Sequence, residues 1–243
     1  MTTTYPSGTP CWVDLGTADP DAAERFYVSV LGWSALPADD GYRLCRHGDG
    51  FVAALGLGED PGVPYWTTNV SVDDLELSLV AIGAAGGTAV VGPTEAGEHG
   101  RFAVTTDPGG APLSLWQPGT FPGAEVRGVA GTWTGLHLFT DEVDQQAGFY
   151  REALGWLTSG EGTTSSSWLL PDSSVVTVGP PPATWTPPRP SLWLVTFGAA
   201  ELDRACVAVE AAGGQVREEL ATATGPLRVA TDDQGAAFGL RQA

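Results

Sequence analysis

The chain has 243 residues, 42% of them hydrophobic and 9% aromatic, enough to bury one large core or two modest ones. Its 29 acidic residues against 11 basic ones give a net charge of −18, which opposes a sequence-independent grip on nucleic acid phosphates and otherwise serves solubility. No apolar run approaches the ~18 residues of a membrane helix, the start MTTTYPSGTPCW lacks a basic and then apolar leader, and three cysteines without a Cys-x-x-Cys pair fit buried thiols in a reducing cytoplasm.

Residues 11–17 alternate like a half-buried strand. Asp19-Pro20 then opens a helix, with an acceptor side chain ahead of a first-turn proline. Ala22, Ala23, Phe26, Tyr27 and Val30 give it an apolar stripe, and Gly32 ends it. Short strands are expected over 42–47 and 51–57. A strand over 65–72 leads into a helix from Asp73 to about Ala85, closed by Gly86-Gly87. Strands follow at 88–91, 101–106 and 113–116, the last after the turn Asp107-Pro108-Gly109-Gly110. The Gly/Pro-rich segment 118–132 contains the expected linker, residues 120–127, between domains at 4–119 and 128–243. Further on, the prolines between 180 and 190 predict a stiff, extended surface loop.

The second domain repeats the first. DLGTADPDAAERFYVSVLGW at 14–33 returns as HLFTDEVDQQAGFYREALGW at 137–156, with no gap between Phe26-Tyr27, Leu31-Gly32-Trp33 and their counterparts Phe149-Tyr150, Leu154-Gly155-Trp156. Ala84-Ala85-Gly86-Gly87 returns as Ala211-Ala212-Gly213-Gly214, and Thr106-Asp107 as Thr231-Asp232. Two repeats are too few for a solenoid. They predict two similar globular halves, each using a βαβββ unit twice.

A Phe-Tyr-x-x-x-Leu-Gly-Trp helix in duplicate, with a closing Asp-Pro-x-Gly-x-x-x-x-Leu-Trp strand at 107–116, resembles the vicinal oxygen chelate superfamily of glyoxalases, extradiol dioxygenases and bleomycin-resistance proteins. It looks most like the tandem-domain actinobacterial branch. The resemblance implies an α+β fold of two tandem domains, each of two βαβββ modules forming an incomplete eight-stranded, barrel-like cup. It also implies a monomer that mimics a dimer, or a weak homodimer. Metal-using members carry His or Glu on the first, fifth and eighth strands of a cup. Carried over, these positions are Trp12, Thr67 and Ser114 in one half and Gly135, Leu194 and Gly239 in the other. A hard divalent ion needs several O or N donors, and these six offer two hydroxyls. No metal and no other cofactor is therefore expected.

Residues two apart on a strand share a face, so Asp14 and Gly16 accompany Trp12, while His137 and Phe139 accompany Gly135. His137 and Asp14 are the candidate catalytic acid–base groups. The alternative for each is a structural, hydrogen-bonded group. Trp12, Trp66, Ser114, Trp116, Phe139 and Trp193 are the candidate ligand-binding residues, since rigid aromatic walls suit a flat apolar ligand; core packing is the alternative for the tryptophans. No Gly-x-Ser-x-Gly elbow and no phosphate-binding glycine pattern is present. Two functions remain open: metal-independent binding of a small aromatic or apolar natural product, as in sequestration or resistance, and a metal-independent acid–base enzyme of secondary metabolism, a cyclase, isomerase or lyase.

Overall fold

The computed structural model describes residues 4–38, 41–58, 63–159, 166–183 and 190–243. The first repeat runs β1 (Thr9–Thr17), α1 (Pro20–Leu31), β2 (Ser34–Pro37), β3 (Arg43–His47), β4 (Gly50–Leu57), β5 (Tyr65–Ser71), α2 (Leu75–Ala84), β6 (Thr88–Glu95), β7 (Gly100–Thr106) and β8 (Pro112–Pro118). The second runs β9 (Trp133–Phe139), α3 (Val143–Leu154), β10 (Leu157–Ser159), β11 (Ser166–Leu169), β12 (Val175–Gly179), β13 (Leu192–Ala199), α4 (Leu202–Ala211), β14 (Gln215–Thr222), β15 (Gly225–Thr231) and β16 (Ala237–Gln242). Each repeat supplies one eight-stranded mixed sheet, ordered β2-β3-β4-β1-β5-β8-β7-β6 and β10-β11-β12-β9-β13-β16-β15-β14. The first and last strands of each βαβββ unit lie parallel, because the helix returns the chain to the starting end.

Local chemistry explains the helix ends. The Asp19 carboxylate accepts from Ala22 N at 3.0 Å and Pro20 fills the first helical position. Gly32 at φ 70° and Gly155 at φ 72° close α1 and α3 in the left-handed region. The short edge strands β2 and β10 supply the strand after the helix that each expected βαβββ unit requires; no range was expected for them, since so few residues carry no readable alternation. Helix α2 starts later than expected, at Leu75, because Asp74 accepts from Leu77 N at 2.8 Å and so serves as cap. The expected proline loop lies partly outside the described residues. Among those described, no helix is long and apolar enough to cross a membrane.

The chain divides into two compact units. One comprises residues 1–12, 68–123 and 137–193, the other 13–67, 124–136 and 194–243. Thus each sheet follows one repeat, while each unit combines modules from both. In the first unit α2 packs on α3; in the second α1 packs on α4.

The two units repeat one polar core. In the second, Tyr27 stacks on Trp33 with ring centroids 5.5 Å apart, accepts from Trp66 Nε1 at 3.0 Å and donates to Asp232 Oδ2 at 3.2 Å. In the first, Tyr150 stacks on Trp156 at 4.7 Å, accepts from Trp193 Nε1 at 2.7 Å and donates to Asp107 Oδ2 at 3.0 Å. Trp33 and Trp156 donate to the Gly131 and Gly8 carbonyls. Asp107 also accepts from Gly109 N and Ala111 N, and Asp232 from Gln234 N and Ala236 N, which folds both Asp-x-x-Gly turns. Burial raises the pKa of both carboxylates and, more strongly, of both tyrosines. The duplicated Phe-Tyr-x-x-x-Leu-Gly-Trp signature therefore encodes a core in which the Tyr27 and Tyr150 hydroxyls and the Trp33 and Trp156 indoles have hydrogen-bond partners.

Candidate functional site

Alternation along β1 defines two faces. Cys11, Val13, Leu15 and Thr17 are fully buried on the helix side, whereas Trp12, Asp14 and Gly16 point to the helix-free side. In the second unit Asp14 heads a row across this helix-free face, Asp14–Ala54–Leu44–Leu36, and is half-buried. The next row is Gly16–Gly56, and the Tyr42 ring covers Gly56 so closely that a β carbon there would stand 2.9 Å from it.

In the first unit the helix-free face of the same sheet carries Trp12, Ser114 and Trp116. Phe121 meets Trp12 edge-on at 4.9 Å and Trp116 at 6.2 Å, and its carbonyl accepts from Trp116 Nε1 at 2.8 Å. A β carbon on Gly123 would collide with the Cys11 carbonyl, so the chain there lies directly on β1. Ser114 donates to the Ala103 carbonyl at 3.3 Å. The segment read as a plain linker thus contributes an aromatic ring between two of the expected ligand-binding tryptophans. Its Gly/Pro composition concealed that role.

The second sheet presents a different surface. In the first unit His137, Thr177 and Ser167 form one row across β9, β12 and β11, with His137 Nδ1 2.7 Å from Thr177 Oγ1. His137 is 3% exposed, and Phe139 lies edge-on to it at 4.6 Å. Val175, Leu169 and Leu157 form the neighbouring row, exposed by 39%, 40% and 58%. Trp168 belongs to the opposite face, against Tyr150 and Trp156. A polar row with an imidazole therefore lies beside an exposed apolar one. Such a surface can take a flat ligand along its apolar row and meet polar ligand atoms along the other.

Two expected ligand-binding residues sit elsewhere. Trp66 and Trp193 are each 2% exposed and lie on the helix-covered face, committed to Tyr27 and Tyr150. In the second unit the helix-free side of β13 and β16 carries Leu194, Thr196, Gly239 and Arg241. Sequence reasoning passed over Arg241, although the two-residue rule puts it on the face of Gly239. The same unit also holds a pocket of about 350 Å³ on its helix side, lined by residues that include Ser29, His47, Gly131, Glu201 and Arg204.

The six positions corresponding to metal ligands do not fit a metal. They hold Trp12, Thr67, Ser114, Gly135, Leu194 and Gly239, and among the described residues no three His, Cys, Asp or Glu side chains lie close enough to hold an ion. At Gly239 the space is already taken: a β carbon would meet Leu227 Cδ1 at 2.6 Å and Thr196 Oγ1 at 2.8 Å. Gly239→Glu is therefore expected to lower stability by about 2–4 kcal/mol through overpacking and a buried carboxylate. Urea unfolding checks this, and a variant as stable as the parent would show that the space is open.

Residues 133–240 match the signature of the "Glyoxalase/Bleomycin resistance protein/Dioxygenase superfamily". The chain is 32% identical over 251 residues to CFP32 of Mycobacterium tuberculosis (strain CDC 1551 / Oshkosh), whose name assigns it provisionally to the glyoxylases; the match covers 97% of this chain and 95% of that protein. It is 31% identical over 261 residues to "Anthracycline biosynthesis protein DauV" of Streptomyces sp. (strain C5), covering 98% and 94%. Among solved structures, the Mn(II)-bound glyoxalase from Novosphingobium aromaticivorans superposes with a TM-score of 0.68 at 14% identity, over 96% of this chain and 81% of the other. The 2,3-dioxygenase LapB from Pseudomonas sp. KL28 gives 0.67 at 16%, over 99% and 94%. These two likenesses concern the fold.

Proposed function

The chain belongs to the glyoxalase/bleomycin resistance protein/dioxygenase superfamily, and from that membership we propose that it binds a flat aromatic metabolite of secondary metabolism without a metal ion. The observation that carries this reading is the helix-free face of the second sheet, where Val175, Leu169 and Leu157 stay exposed beside His137, Thr177 and Ser167. Exposed apolar rows rimmed by polar groups mark ligand surfaces. A relative named for anthracycline biosynthesis supports a polycyclic, oxygenated aromatic ligand. In this reading the protein sequesters its ligand, as a cytoplasmic monomer whose two repeats replace a dimer. The buried thiols of Cys11 and Cys45 suit that compartment.

The test is a tryptophan-fluorescence titration with 1,8-dihydroxyanthraquinone in EDTA. Saturable binding is expected, weakened about tenfold or more in Leu169→Asp, which places a charge in the apolar row. Leu169 is 40% exposed, so the variant should fold. Equal affinity in parent and variant would remove this face from the ligand site.

A second reading rests on the His137–Thr177 contact of 2.7 Å. An imidazole fixed through one nitrogen is oriented for proton transfer through the other. On that basis the protein is an acid–base enzyme, a cyclase, isomerase or lyase, with His137 as base or acid and Asp14 as its counterpart on the first sheet.

A further inference from the structure

Arg241 lies on β16 with its Cα opposite Gly198 of β13, on the helix-free face shared with Gly239. It is partly buried, in a chain of net charge −18. Arg43 pairs with Asp21 and Glu24, Arg101 with Glu76 and Glu95, and Arg228 with Glu219. Arg241 has no carboxylate partner among the described residues. Among the described residues its one side-chain hydrogen bond runs from a terminal guanidinium nitrogen to Thr224 Oγ1 at 2.9 Å, and its Nε has no partner there. Burial lowers its pKa, with no opposing charge to offset the effect. The guanidinium also borders a gap: residue 135 is glycine, and a β carbon there would stand 3.8 Å from the same terminal nitrogen.

A partly buried guanidinium with an unsatisfied donor gains from an incoming acceptor. Planar, bidentate oxyanions match its fork. We propose that Arg241 is an anion receptor within the second unit, taking a carboxylate or an ionised phenolic oxygen of a flat aromatic molecule, with the Thr224 hydroxyl fixing the guanidinium and Gly135 leaving room for the incoming group. This goes beyond the surface proposed above, which lies in the first unit: Arg241, Thr224 and Gly135 all belong to the second.

The probes are anthraquinone-2-carboxylate and anthraquinone-2-carboxamide, which share one flat body and differ in charge, titrated against the full chain by tryptophan fluorescence. The carboxylate is expected to bind about tenfold or more tightly than the amide, with the preference shrinking as salt rises. Arg241→Gln should abolish the preference and Arg241→Lys should keep part of it. Since no carboxylate is orphaned by the change, Arg241→Gln should melt within about 2 °C of the parent. The parent's preference is itself a test that needs no variant. Equal binding of the two probes, or a preference that survives in Arg241→Gln, overturns the receptor and leaves the first-unit surface untouched. Binding of neither probe overturns the receptor as well.

Discussion

Replacing Asp107 by alanine should destabilise the protein by about 3–5 kcal/mol, because one buried carboxylate satisfies donors from three segments of its unit. Gly109 N and Ala111 N bond to Oδ1 at 2.9 and 2.8 Å, while the Tyr150 and Ser191 hydroxyls bond to Oδ2 at 3.0 and 3.3 Å. Alanine leaves these donors without that acceptor, and Tyr150 in turn anchors Trp193 and stacks on Trp156. Asp232→Ala should cost a similar amount in the other unit, where Tyr27, Gln234 and Ala236 are the donors. Asp107→Asn keeps the turn and should cost much less. The pKa shift sets its pH dependence. A carboxyl pKa raised by burial means the native state holds the proton more tightly than the unfolded chain does. That contribution is fully present below the ordinary carboxylate pKa and is lost as pH rises through the folded value. The deficit of Asp107→Asn against the parent should therefore shrink over that rise. Urea unfolding across pH measures both effects, and an Asp107→Ala variant within about 1 kcal/mol of the parent would show that the carboxylate is not central to this core.

His137→Ala is expected to carry the largest functional effect if His137 acts as proposed. If the protein converts its ligand, loss of a general acid or base should slow conversion about 10²- to 10⁴-fold while the dissociation constant stays within about threefold. Mass spectrometry of a 1,8-dihydroxyanthraquinone incubation gives the rate, and fluorescence titration the affinity. Thr177→Val, which removes the hydroxyl 2.7 Å from His137 Nδ1, should shift the pH profile and leave affinity nearly unchanged. Conversion that persists in His137→Ala removes the imidazole from the chemistry. Binding without conversion in the parent leaves sequestration.

Much of the fold was legible because it is written twice. The Phe-Tyr-x-x-x-Leu-Gly-Trp helix, the Asp-x-x-Gly turn and the two-residue alternation of β1 and β9 each state a local rule, and local rules survive without the rest of the chain. What these motifs do together was not legible. Tyr150 meets Asp107 across 43 residues, and nothing in either neighbourhood announces the other. Trp66 and Trp193 show how a correct rule can be applied one residue short: Thr67 marks the helix-free side of β5, so its neighbour Trp66 faces the helices, where Tyr27 needs a donor. Arg241 was available to the same rule, two residues beyond Gly239. Phe121 was not, since a glycine- and proline-rich connection gives no sign of the strand it will cover.

The most direct test of metal-free ligand binding is to purify the protein without chelator, determine its divalent metal content, and titrate it with 1,8-dihydroxyanthraquinone in the presence and absence of EDTA. A one-to-one complex of equal affinity in both conditions, on protein without a stoichiometric divalent ion, is the predicted result. A stoichiometric ion whose removal abolishes binding would contradict it.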